Sequence, residues 1–274
     1  MKIICVLFLA FITCTTFAQK DFQGKATYMS KRTIDMDAAF GKMTEQQKKQ
    51  RMARMKNWLE KTYTLTFNKS ESAFKENVQL DAPGSAGRSW GKSNGQGSMY
   101  KNVGDKEMIE DVEQFSKRFL VTEEMEIPKW EMGTETKKIG NYMCYKATMV
   151  KKDMSIDWVG MMGRGRKKAK DSTKVKGEEE VRTLLVTAWY SPQIPVNAGP
   201  AEHWGLPGLI LEINEGRTTM LCTELVMNSE EVLEIKRPSK GKKVSREEYN
   251  KIIKVKTAEM KERFQSRGRG GRKF

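Results

Sequence analysis

Short β-prone segments separated by turn signals constrain the fold of this chain most strongly. In YTLTF (63–67) the apolar residues alternate with threonines, as in a strand with one buried face. The other clearest candidate strands are Phe22–Ser30, Thr136–Lys151, with a bend or bulge at Gly140-Asn141, and Thr183–Tyr190. The pattern predicts a mainly β (β-rich α+β) domain, with about eight to ten strands in one curved antiparallel sheet or a partly open barrel.

Two segments have helical rather than strand character. Residues 44–61 contain no Gly or Pro and are rich in helix formers, and Thr44 with Gln47 fits a capping box. Residues 245–264 begin with the same kind of box at Ser245. The sequence therefore predicts a long helix after the first strand and a second helix near the C-terminus.

The first 18 residues have the character of a secretory signal peptide. Lys2 precedes an apolar run at 3–12, and small residues precede a cleavage point after Ala18. The apolar run is too short to span a bilayer as a helix. The alternatives are an uncleaved anchor and lipid attachment at Cys14, which its preceding residues fit poorly. We expect an exported protein, located in the periplasm or at the outer membrane and cell surface.

Charge and composition divide the rest of the chain. Residues 19–235 are predicted to form the β-rich domain, with flexible loops at 81–98, which is Gly/Ser-rich, and 161–180, which is dense in charge. Residues 236–274 hold 15 Lys or Arg against 4 Glu and supply most of the net charge of +15. This basic helical or disordered tail suits an anionic membrane surface or acidic outer-membrane proteins; export argues against nucleic acid.

Two cysteines, Cys144 and Cys222, remain after removal of the signal peptide, and both lie on predicted strands. In an oxidising compartment they could form one disulfide. The alternative is a pair of buried free thiols that pack as small apolar side chains.

His203 is the one histidine of the chain, which excludes a multi-histidine metal site. No serine lies in a nucleophile-elbow pattern, and nothing pairs obviously with His203. The 18 methionines are scattered through predicted strands and helices, which favours core packing over copper binding. We expect a structural role for His203, no metal, no cofactor and no catalysis.

The segment GLPGLILEI (205–213) opens with Leu206-Pro207-Gly208-Leu209, a pattern typical of a type II turn in which Gly208 takes a positive φ. An apolar strand follows the turn. Residues 191–204 precede it and contain three prolines, which predicts a stiff, extended loop. No phosphate-binding loop is present, because the segment leads into a strand without a Gly-Lys-Ser/Thr motif.

AWYSPQIPVNAGPAEHWGLPGLILEI, with TKKIGNYMCYKA upstream, resembles the GLPGLI family of exported Bacteroidetes proteins, named for the hexapeptide at 205–210. The resemblance covers roughly residues 20–228. It implies a signal peptide, a cell-envelope location and a β-rich domain, and it brings no catalytic residues. The signature residues are Ala188, Trp189, Tyr190, Ile194, Pro195, Gly199, Pro200 and Gly205 to Ile210.

These observations favour a non-catalytic binding or carrier module that takes an apolar ligand, such as a lipid, or a peptide on its concave face, by analogy with periplasmic lipoprotein carriers. An outer-membrane-associated protein that docks through its basic tail is the first alternative, and a hydrolase is the second. The expected binding residues are Trp189, Tyr190, His203, Trp204, Leu206 and Pro207.

Overall fold

The computed structural model describes residues 22–35, 40–41, 43–77, 97–152 and 183–270. The predicted signal peptide, the predicted loop at 161–180 and nearly all of the loop at 81–98 lie outside these residues. Within the described ranges, no helix combines the length and apolar character needed to cross a membrane.

The described residues contain twelve strands in one open sheet, which confirms the mainly β prediction with more strands than expected. The strands are β1 (Gln23–Arg32), β2 (Glu60–Asn68), β3 (Glu71–Glu76), β4 (Ser98–Asn102), β5 (Glu107–Gln114), β6 (Lys117–Glu124), β7 (Glu131–Ile139), β8 (Tyr142–Lys152), β9 (Thr183–Ser191), β10 (Leu209–Glu215), β11 (Thr218–Met227) and β12 (Lys242–Ser245). Their order across the sheet is β12-β6-β5-β4-β3-β2-β1-β11-β10-β9-β8-β7.

All neighbouring strands are antiparallel except β12 and β6, which are parallel. The prediction of a single strand over residues 136–151 is wrong, because β7 and β8 meet there in a tight hairpin. Gly140 takes a φ of +56°, which a glycine adopts without steric cost. The chain therefore reverses at Gly140-Asn141 instead of bending.

The two predicted helices are confirmed, as α1 (Glu45–Leu59) and α2 (Arg246–Gly270). Both capping boxes are present. The Thr44 hydroxyl accepts from the backbone N–H of Gln47, and the Ser245 hydroxyl accepts from that of Glu248. These bonds satisfy N–H groups that a helix N-terminus leaves without intrahelical partners.

The start of α2 belongs to one edge of the sheet. Arg246 is 2.8 Å from Glu110 on β5 and 2.9 Å from Glu123 on β6. Tyr249 packs edge-on against Phe119, with ring centres 5.6 Å apart. Together with β12, these contacts attach the beginning of the basic C-terminal region to the β domain.

Residues 192–208, which we call the strap, connect β9 to β10 and lie against the sheet. In the strand order, β3, β2, β1 and β11 separate β4 from β10. The strap nevertheless contacts both, because Lys101 on β4 donates to the carbonyl of Gly199, and Ile210 on β10 donates its N–H to Ala198. The sheet must therefore curve around the strap.

The strap supplies much of the core on this curved face. Its apolar side chains share one buried cluster with residues of the central strands β1, β2 and β3. The strap members of this cluster are Ile194, Val196, Ala198 and Ala201, and the strand members include Ala26, Tyr28, Leu65, Phe67 and Phe74. The concave face of the sheet is thus covered by the protein's own chain.

Candidate functional site at the strap

The end of the strap does not form the predicted type II turn. Gly208 has no positive φ, and its N–H donates to the carbonyl of Leu206 at 2.8 Å, which makes a γ-turn centred on Pro207. A Cβ on Gly208 would lie 2.2 Å from the carbonyl oxygen of Ser191. Glycine is required here because two backbone segments approach closely, so the predicted reason for this residue is wrong.

Lys101 on β4 anchors the middle of the strap. Its side chain is buried, and its ammonium donates to the carbonyls of Gly199, Ala201 and His203 at 2.8, 2.8 and 2.9 Å. Burial lowers the pKa of Lys101 to about 7. Three hydrogen bonds use all three donors of the ammonium, so Lys101 connects β4 to three alternate residues of the strap backbone.

Lys151 contacts the strap through a charged partner. Its ammonium lies 2.5 Å from a carboxylate oxygen of Glu202 on the strap and 2.5 Å from one of Glu215 at the end of β10. The second oxygen of Glu215 is 3.1 Å from Nε2 of His203. These four residues, which we call the charged cluster, join the strap to β8 and β10.

Mutual attraction keeps the two carboxylates and the ammonium of the charged cluster ionised. Burial opposes ionisation of Glu215, but hydrogen bonds from His203 and Lys151 outweigh it and lower the pKa of Glu215 to about 2. The pKa of Glu202 is also lowered, because the charges of Lys151 and His203 overcome the effect of burial. Burial likewise acts against the ammonium of Lys151, whose pKa is nevertheless raised by Glu202 and Glu215.

His203 is almost completely buried, with 2% of its surface exposed. Because an ionised carboxylate only accepts hydrogen bonds, its contact with Glu215 puts a proton on Nε2. Nδ1 is also buried, and it has no hydrogen-bond partner. An unpaired buried nitrogen is uncommon in folded proteins and therefore needs an explanation.

The six residues expected to bind a ligand do not line one pocket. Trp189 and Tyr190 are consecutive residues of β9, so their side chains point to opposite faces. Trp189 packs at the large cluster beneath the Lys137 ammonium, 4.3 Å from its ring centre. Tyr190 packs with Leu206 in a separate cluster.

The other expected residues also differ in their surroundings. Trp204 is buried, and its carbonyl accepts a hydrogen bond from Trp130 at 2.9 Å, whereas Pro207 is exposed. A cavity of about 10 Å³, lined in part by Ser72, Lys101 and Trp204, lies between the strap and β3–β4. That volume accommodates about one water molecule.

Sequence reasoning missed Lys101, Lys151 and Glu215, and a signal existed for one of them. Lys101 is two residues from Met99 and from Val103, so strand alternation places it on the apolar face of β4. A lysine on such a face is expected to have buried acceptors. Nothing local identifies Lys151 and Glu215, because their partners lie on other strands or on the strap.

Within the described ranges, Cys144 and Cys222 are both free thiols. Cys144 is buried and Cys222 is half-buried. Burial raises the pKa of each thiol to about 11, so both are protonated at neutral pH and are weak nucleophiles. Of the two alternatives left open by the sequence, the structure contains the free thiols, and the Cys144–Cys222 disulfide is not formed in it.

Comparisons with known proteins give little functional information. No curated protein matches the sequence. Two solved structures of PNGF-II, in two space groups, are similar at 13% and 12% identity, with TM-scores of 0.47 and 0.48. Each alignment covers 85% of this chain but only 33% and 32% of the PNGF-II chain, so the chain spans about a third of their length. Residues 130–212, which contain the strap, Lys151, Glu202 and His203, match the family model described as "Protein of unknown function (Porph_ging)".

Proposed function

We propose that the chain is an exported cell-envelope protein of the GLPGLI type, and that it acts without catalysis, as an interaction module. Export is supported by the signal-like residues 1–18. The GLPGLI assignment is supported by the hexapeptide at 205–210, which lies within the matched residues 130–212.

One observation supports binding at the outer surface over the enclosure of a ligand. The strap covers the concave face, and Ile194, Val196 and Ala198 contribute to the buried core there. An apolar ligand on that face would have to replace these side chains and the three hydrogen bonds of Lys101. The occupied concave face therefore favours interaction through the outer surface over the carriage of a lipid or peptide.

The basic C-terminal region offers such a surface. Lys242 and Lys243 on β12 are exposed, as are Lys251 and Lys254 on α2. A lysine near an anionic bilayer contributes about 1 kcal/mol of binding free energy. We propose that this surface docks on anionic lipid headgroups of the cell envelope.

Vesicle flotation of the protein without residues 1–18 tests this proposal. We expect binding to vesicles containing phosphatidylglycerol, weaker binding at high salt, and none to pure phosphatidylcholine. The variant Lys251→Glu/Lys254→Glu should lose most of the binding. The matched control Lys25→Glu/Lys31→Glu makes the same charge change on exposed residues of β1 and should bind normally. Equal binding by the α2 variant and the control would refute the proposal.

Mass spectrometry of the native protein and of its organic extract tests the carrier function directly. We expect no stoichiometric lipid or peptide, since the strap occupies the concave face. A bound ligand in equimolar amount would instead support carriage and would require the strap to move.

A further inference from the structure

We propose that Glu202, His203 and Glu215 form a binding site for one divalent transition-metal cation, in which the Lys151 ammonium is an internal competitor of the ion. Although one histidine excludes a multi-histidine site, a mixed site of one imidazole and two carboxylates needs only one. This site is separate from the lipid-facing surface proposed above, so the two proposals can fail independently.

The first support is the convergence of the three donor groups. Each residue presents one ligand atom, and the three atoms lie within 4.8 Å of one another. Nε2 of His203 and Oε2 of Glu215 are 3.1 Å apart. Two ligands bound to the same ion at about 2.1 Å from it have a similar separation. Little movement of these side chains would therefore be needed to place them around a metal.

The second support is the condition of His203. Only 2% of its surface is exposed, and the imidazole makes one hydrogen bond, to Glu215, while Nδ1 has none. A histidine with a purely structural role at this depth is expected to use both ring nitrogens. Binding of an ion by Nε2 would leave the ring proton on Nδ1, and Glu215 would change from the hydrogen-bond partner of Nε2 to a second ligand of the ion.

The third support is the position of Lys151. Its ammonium is 2.5 Å from each of the two carboxylates, in the place between them that a cation would occupy. The carboxylates carry two negative charges, of which the ammonium neutralises one, whereas a divalent ion would neutralise both. Lys151 lies next to the last residue of β8, and 26% of its side chain is exposed, so its flexible stem has a path to solvent.

The donor set indicates the class of ion. Imidazole nitrogen favours Zn²⁺ and neighbouring transition metals, whereas Ca²⁺ prefers a larger number of oxygen ligands. We therefore expect Zn²⁺ to bind and Ca²⁺ to bind weakly or not at all.

Isothermal titration calorimetry with Zn²⁺, on the protein without residues 1–18, tests the site. We expect one ion per chain, with binding about tenfold tighter in Lys151→Met, because no ammonium has to be displaced. Glu202→Gln and Glu215→Gln should each weaken binding by about tenfold or more. Glu212→Gln is the matched control, since Glu212 is on the same strand but pairs with Lys137, and it should bind like the natural sequence.

Several outcomes would overturn the proposal. They are no Zn²⁺ binding by the natural sequence, binding that the Glu202 and Glu215 variants leave unchanged, and binding by Lys151→Met that is no tighter than normal. Binding by Lys151→Met alone would also overturn it, because Lys151 would then be a permanent substitute for the metal. Circular dichroism of each variant separates loss of a ligand from loss of the fold, and Glu202, whose side chain is 45% exposed, is the variant that least disturbs the fold.

Discussion

Two lysines hold the strap, and they do so by different chemistry. Lys101 donates to three backbone carbonyls and is fully buried, whereas Lys151 bridges two carboxylates and is partly exposed. Burial lowers the pKa of Lys101 to about 7, while the charges of Glu202 and Glu215 outweigh burial and raise the pKa of Lys151. The difference shows that carbonyl acceptors give Lys101 directional bonds without a neutralising charge, whereas Lys151 depends on the charge of its two carboxylate partners.

Lys101→Met should have the largest effect. Methionine matches the length of the stem but leaves three buried carbonyls without donors, and each uncompensated group is costly. We expect a loss of about 3 kcal/mol or more in the free energy of unfolding, measured by urea denaturation. Lys75→Met on the exposed side of β3 is the control and should change little. Equal stability of the two variants would show that the carbonyl bonds contribute nothing net.

Gly208→Ala tests whether the close backbone packing at the end of the strap contributes as much to stability as the two lysines that contact the strap. The new Cβ would lie 2.2 Å from the Ser191 oxygen and 2.8 Å from the Pro192 nitrogen, both backbone atoms that cannot rotate away. We expect a loss of about 2 kcal/mol in stability. In Gly140→Ala the new Cβ would have no atom within 4 Å, and the only cost is the φ of +56°, which is strained for alanine. We expect a loss of about 1 kcal/mol in stability. The opposite ranking, by thermal unfolding, would contradict the close-approach explanation.

Lys151→Met should have a smaller effect than Lys101→Met, because its site is partly exposed. The two carboxylates would lose their shared cation and repel each other, at a cost of about 1 kcal/mol without added metal. Salt sharpens the contrast between the two lysines. The cost of Lys151→Met should shrink at high salt, and that of Lys101→Met should not. A similar salt dependence for both variants would remove the distinction.

Of the two contacts that hold the strap, acid should weaken the charged cluster and not the carbonyl bonds of Lys101. The pKa of Glu215 is lowered from 4.5 to about 2, so its contribution to stability is complete above 4.5 and is lost as the pH falls from 4.5 towards 2. In EDTA, the natural sequence should therefore lose roughly 1 kcal/mol more than Glu215→Gln over this interval. Parallel stability curves for the two proteins would contradict the lowered pKa.

Features encoded by neighbouring residues were predictable from the sequence. Alternation located β1, β2 and β9, and the capping boxes at Thr44 and Ser245 located both helices. These signals depend on contacts a few residues apart. The path of the strap was not predictable, because it depends on partners such as Lys101 and Gly199, which are 98 residues apart in the chain.

The candidate site was predicted only in part, for the same reason. His203 was singled out as the one histidine, but its partner Glu215 became evident only from the packing of the strap against β10. Aromatic residues were favoured as binding residues, although alternation along β9 already separates Trp189 from Tyr190. The role of Gly208 had no sequence signal, because its crowding comes from backbone atoms of another segment.

The central position of β1 in the sheet has a consequence for the order of folding. Gln23, at the start of β1, is hydrogen-bonded to Asn228, 205 residues later. By contrast, β2 to β6 are joined in sequence and pair with their neighbours, and such local pairings form faster than distant ones. We therefore expect β2–β6 to assemble first, so that Lys101 is in place before the strap packs against it. The edge of β1 that pairs with β11 should stay unpaired until β11 has formed.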